Sequence, residues 1–181
     1  MKTATFILIA LFTFTTTLLF AVPPNSQPAN NNYTNAIDVS SIINSCSGNA
    51  AYATVGATMD KNQAYCSNAS GYNVWFKFQA TAPTMNIKVD RGGNKGNIRR
   101  VNLALWQSNG TSQIACNRYV NNDDIVEVGA TALTVGNWYY ISVDNNSSNY
   151  RGTFTLCLNT TLNYDYYEGA LDVSSYINSC P

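Results

Sequence analysis

Val74-Trp75-Phe76-Lys77-Phe78-Gln79 is the stretch that decides the fold. Val74, Phe76 and Phe78 alternate with Lys77 and Gln79. A period of two sends successive side chains to opposite faces, which marks a strand with one buried face. The alternation recurs downstream: Leu103 and Leu105 oppose Asn102, and Tyr139, Ile141 and Val143 oppose Ser142 and Asp144. Phe154, Leu156 and Leu158 likewise oppose Thr153 and Thr155. With the remaining β-type runs, strands are predicted at 51–58, 74–80, 85–90, 101–107, 113–119, 125–128, 138–144 and 152–158. Gly92-Gly93, Asn109-Gly110 and Gly136-Asn137 punctuate them as turns. The expectation is an all-β protein: an antiparallel β-sandwich of about eight strands, jelly-roll-like, with an Ig-like sandwich as the alternative.

Composition agrees with that reading and excludes several functions. The chain of 181 residues has twenty-five asparagines, twelve tyrosines and two glutamates, poor material for helices and good material for strands and turns. Ten basic residues balance ten acidic ones, so there is no electrostatic footprint for nucleic acid. There is no histidine, which removes His-based triads and His-ligated metals. Glu127 and Glu168 fall in different modules and form no glycosidase pair. Asp123 and Asp124 are sequence neighbours on a turn, and because side chains of adjacent strand residues point oppositely they make no obvious acid/base couple. No catalytic residues are expected, and the chain is read as a non-enzyme.

The domain plan follows from the ends and from a repeat. Met1-Lys2, an apolar run from Phe6 to Phe20 and Ala21 form a secretory signal peptide over 1–21, too short and Thr-rich for a membrane anchor. A Pro- and Asn-rich linker is expected over 22–32, then a module over 33–160. The segment 33–46 reads YTNAIDVSSIINSC and the segment 167–180 reads YEGALDVSSYINSC, identical at ten of fourteen positions with an offset of 134 residues. That spacing suits beads in a tandem array, so 163–181 is expected to be the cut-off start of a second copy. The expected setting is secreted or cell-surface, with no membrane contact after signal cleavage and with further domains of the same polypeptide as neighbours.

In an oxidising compartment Cys46, Cys66, Cys116 and Cys157 read as disulfides. Four cysteines allow three connectivities, of which Cys46–Cys66 with Cys116–Cys157 is the favoured expectation. A Cys-ligated zinc site lacks the close cysteine spacing it needs. Calcium is the one ion the residues suggest, through Asp60, Asp90, Asp123, Asp124 and Asp144 at strand ends among asparagine carbonyls. Arg91, Lys95, Arg99 and Arg100 form a basic loop that could meet an acidic polysaccharide. Trp75, Trp106 and Tyr140 fall on nominally outward strand positions. They are either a stacking platform for polysaccharide or a core beneath a cover, and the size of tryptophan favours the core.

VWFKF (74–78), LALW (103–106), GNWYYISVD (136–144) and GTFTLC (152–157) form an ordered series. It resembles the β-sandwich modules of large secreted and surface proteins of Bacteroidetes-type bacteria, relatives of the bacterial pre-peptidase C-terminal (PPC-like) domain. The resemblance implies a jelly-roll-like fold without catalytic residues, presented in multidomain adhesins or beside secreted hydrolases and peptidases. The expected function is therefore a structural or adhesive module. A carbohydrate-binding or accessory domain of a hydrolase is the alternative. The family's common pattern has a cysteine in the turn after LALW, where this chain has Ser108-Asn109-Gly110.

Overall fold

The structure, a computed structural model, describes residues 26–61, 64–67, 71–119 and 123–161. The segments expected to be a leader, 1–21, and the start of a second copy, 163–181, lie outside the described residues. Ten strands follow in order: β1 Ile37–Asp38, β2 Ser45–Cys46, β3 Tyr52–Ala53, β4 Val74–Gln79, β5 Met85–Asp90, β6 Val101–Trp106, β7 Gln113–Arg118, β8 Ile125–Ala130, β9 Trp138–Asn145 and β10 Thr153–Asn159. Single 3-10 turns occupy Tyr33–Asn35, Ser40–Ile42 and Ser148–Tyr150.

The strands form a five-stranded sheet, β1-β4-β9-β6-β7, and a four-stranded sheet, β3-β10-β5-β8. Their antiparallel pairs are nested: β3 with β10, β4 with β9, β5 with β8 and β6 with β7. Such nesting is one long hairpin, closed at the β6–β7 turn and rolled into two facing sheets. That is the jelly roll, and the Ig-like alternative falls away. β1, outside the roll, adds to the β4 edge in parallel.

The periodicity is right about the inner faces. Phe76, Phe78, Leu103, Leu105, Ile141, Val143, Phe154 and Leu156 meet between the sheets, together with Met85 and Ile87. The predicted strand at 51–58 shrinks to Tyr52–Ala53, because the chain then turns away to cover a sheet face. That cover explains β6, all of whose residues are buried. Its outward residues Ala104 and Trp106 join Ala64 and Trp75 in a second, smaller core on the far side of the five-stranded sheet. Tyr33, Ala36, Cys66, Cys116 and Tyr140 pack against that core. Trp106 Nε1 donates to Ser142 Oγ at 2.9 Å, which satisfies the indole inside it.

The second core makes a sharp prediction. Trp106→Ala is expected to lower unfolding free energy in urea by about 3–5 kcal/mol. Trp138→Ala, at a ring 37% exposed on the same sheet face, is expected to cost far less. Equal small losses for both would show that the outer face is no core.

Candidate functional site

The most densely engineered part of the molecule is the strap formed by residues 26 to 46. It begins with asparagines that imitate a strand. Asn30 Nδ2 donates to the Trp75 carbonyl at 2.9 Å, and the Trp75 N–H donates to the Asn30 carbonyl at 2.9 Å. The Thr58 N–H donates to Asn31 Oδ1 at 2.7 Å, and the Tyr33 N–H donates to Asp60 Oδ2 at 2.5 Å. Asn30 and Asn31 are both buried. The stretch 22–32, expected as a linker, is therefore corrected in its described part, 26–32, which is fixed to the domain. Asparagine in quantity looks like loop because its side-chain bonds leave no periodic signal.

Tyr33 is the keystone of the outer core. Its ring lies 4.4 Å from that of Tyr140 and edge-on to Trp75 at 5.5 Å, with Lys61 Nζ 4.6 Å from its centroid. Its hydroxyl donates to the Ser108 carbonyl. Burial, helped by the adjoining Tyr140, pushes that hydroxyl up to about 12. Gly110, with φ +65°, sits against this ring, and a Cβ there would overlap it. The turn that the sequence marked only as Asn-Gly is thus shaped by a residue far upstream.

The strap then becomes β1, in parallel register Ile37 to Phe76 and Asp38 to Lys77. The Val39 N–H continues the ladder to the Lys77 carbonyl at 2.8 Å, and the Val39 side chain enters the inner core. Asp38 Oδ1 accepts from the Ser40 N–H at 2.9 Å, and Ser40 Oγ accepts from the Gln79 N–H at 3.0 Å. Ile43 bridges to Leu158 in parallel, and Asn44 Oδ1 accepts from the Thr160 N–H at 3.0 Å. The strap ends at Cys46, disulfide-bonded to Cys157 on β10. Asn44, Cys46, Lys88, Glu127 and Asn159 line a shallow groove of about 220 Å³ beside this bond.

Cysteine pairing departs from expectation. The bonds are Cys46–Cys157 and Cys66–Cys116. Cys116 packs on the outer face of the five-stranded sheet, and Cys157 alternates with the inward Leu156 and Leu158 on the other sheet, so both layers lie between the two sulfurs and the expected Cys116–Cys157 bond is out of reach. Cys66 lies on the cover of the outer core and fastens it to β7. Sequence distance misleads here because the jelly roll brings the first strands beside the last.

The aromatic residues singled out by the sequence separate. Trp75 and Trp106 are 0% and 2% exposed, so neither is a sugar platform. Tyr140 is half-buried under Tyr33. Among the described residues the exposed aromatics are Trp138, which carries Lys77 Nζ 5.2 Å from its centroid, and Tyr65, which is 87% exposed. Sequence reasoning missed both: Trp138 begins the strand whose alternation was read from Tyr139, and Tyr65 lies in a loop.

The proposed calcium ligands are likewise dispersed. Asp60 serves Tyr33, Asp144 caps the backbone at 71–72, and Asp124 pairs with Arg91 at 3.2 Å. The Asp123 carbonyl accepts from Arg91 Nε at 3.1 Å. Among the described residues no three acidic or cysteine side chains gather at metal-binding distance. The basic loop is also partly neutralised, since Lys95 Nζ lies 2.6 Å from the buried Asp90 carboxylate. Arg100 stacks over Tyr150 at 4.4 Å.

No protein-family model matches the chain, and no curated protein matches it either. Among the described residues no helix is long and apolar enough to cross a membrane. The two disulfides are consistent with an extracellular environment.

Asp144 generates a pH prediction. Burial raises its carboxyl above the ordinary value of 3.8, against N–H donors from Tyr72, Gly71 and Asn145 that pull it down. A carboxyl whose folded pKa is raised contributes stability that is complete below 3.8 and lost as pH climbs through the folded value. Asp144→Asn keeps an acceptor for the same N–H groups and removes the charge. Its melting temperature relative to wild type is expected to rise from pH 3.8 towards neutrality. A constant difference across that range would contradict the assignment.

Proposed function

We propose that the chain carries a non-catalytic, structural or adhesive module of a secreted or cell-surface multidomain protein of the PPC-like, Bacteroidetes-type kind. Residues 163–181 then open a second module that is built the same way. The observation that carries this reading is where the two copies of the strap differ. The copy changes Thr34 to Glu, Asn35 to Gly, Ile37 to Leu and Ile42 to Tyr. In the first copy Thr34 and Asn35 are exposed, and Ile37 and Ile42 are half-buried. Tyr33, Asp38, Val39, Ser40, Asn44 and Cys46, which make the contacts described above, are all kept. Variation confined to tolerant positions is what two instances of one working part display. The rolled sandwich supplies rigidity, and covalent closure suits a place without chaperones or reductant.

A graft tests this directly. The strap of the full chain is rewritten with T34E, N35G, I37L and I42Y, so that the second copy's sequence stands in the first copy's place. The expected product folds, forms the Cys46–Cys157 bond by peptide mapping, and is within about 1.5 kcal/mol of wild type. A graft that fails to close that bond, or that unfolds, would overturn the tandem-module reading. Turnover of a glycan or protein substrate by the purified chain would overturn the non-catalytic part.

A further inference from the structure

The Cys46–Cys157 bond stands at a special place in the chain. It joins the end of the strap to the last strand, with Cα atoms 4.0 Å apart across 111 residues of sequence. β3 to β9 all lie within the loop it closes, and so does the Cys66–Cys116 bond. Outside the loop the described chain consists of the strap, 26–45, and the short exit, 158–161. Tension applied at the two ends of the chain therefore meets the strap's own contacts first and, once these release, passes to Cys46 and Cys157. From there it crosses a covalent bond and does not run through the loop between the two cysteines.

We propose that the module is a force-bearing link whose load path bypasses the loop that its own disulfide closes. The proposal rests on the structural-module reading and names the mechanical work that such a module does. An unlocked sandwich pulled by its first and last strands resists only with hydrogen bonds worth roughly 0.5–1.5 kcal/mol each and with its packing. A disulfide at that position replaces the resistance by a covalent bond once the strap has been pulled free, and keeps the 111-residue loop from extending. The strap is the single described part in tension on the N-terminal side. Its parallel pairing with β4 and its Tyr33 anchor carry the first load, and once they give way the bond holds the loop closed. Cys180 stands 23 residues beyond Cys157, in the position of Cys46 in the copied strap. In a row of such modules the spine would run from staple to staple through linkers of that length. Cys46 is exposed, so external thiols reach the staple while the sandwich is still folded.

The test is force spectroscopy on the full chain held by peptide tags at its two ends. Fully extended, the closed loop of 111 residues measures about 380 Å. The oxidised chain is expected to release the strap and then stop, with no step of that size. Adding dithiothreitol under load is expected to release the step, which avoids dependence on a variant that folds poorly. Cys46→Ser is expected to extend without reductant by about 210 Å, since the Cys66–Cys116 bond still closes off 50 of the 111 residues, whereas Cys66→Ser, inside the loop, keeps the oxidised chain locked. An oxidised wild-type chain that yields the step overturns the load path, and so does a reduced chain that extends no further. The two readings fail separately: substrate turnover would remove the structural reading and leave these lengths unchanged, while a step in the oxidised chain would remove the load path and leave the graft result standing.

Discussion

The fold depends on a sheet with two apolar faces. β4, β9 and β6 present Phe76, Ile141 and Leu103 to the facing sheet, and Trp75, Tyr140 and Trp106 to the other side. An antiparallel sheet ordinarily leaves one face to water, and two indoles on that face would expose a large apolar patch. The strap resolves the conflict. Residues 26–36 and the segment around Cys66 lie over the indoles, and the backbone of Trp75 is bonded to Asn30. Once the strap is committed to covering that face, it reaches the β4 edge as β1 and arrives beside β10, where Cys46 meets Cys157.

The same dependence shows what can be read from the sequence. Strands with one apolar face were legible to within a residue or two, as β5 at Met85–Asp90 and β4 at Val74–Gln79 illustrate. The sandwich class followed from them. The strap was legible as a repeat and not as a structure, because asparagine side chains bonding to a strand edge leave no hydrophobic period. Cysteine pairing was illegible for a topological reason: nothing local to Cys46 records that the chain's end returns beside it. Trp75 and Trp106 were found, but their surroundings come from segments over forty residues upstream in one case and over seventy in the other, at Asn30 and Tyr33. Whether an outward aromatic is platform or core is decided by what covers it, which lies elsewhere in the chain.

Fold and function are separable here. A jelly roll hosts many roles, so the topology alone assigns none. What narrows the choice is where the chain concentrates its specific contacts. They cluster on the strap and its disulfide, the part that the sequence repeats. Of the acidic residues considered for an ion site, Asp60 and Asp144 accept from backbone N–H groups and Asp90 and Asp124 pair with neighbouring cations. The account is thus one of construction: a rolled hairpin, an additional core on its outer face, and a covalent clasp between entry and exit.

Native-state hydrogen exchange tests the central claim, that the strap is part of the cooperative fold. The amide of Trp75, which donates to Asn30, and the amide of Val39, which donates to Lys77, report on strap contacts. The amide of Ile141 in central β9 reports on the sandwich. If the outer core is integral, all three amides exchange only through global opening and give the same free energy. Exchange at Trp75 and Val39 through a much cheaper local opening, with Ile141 still protected, would make the strap a loose cover and contradict the account.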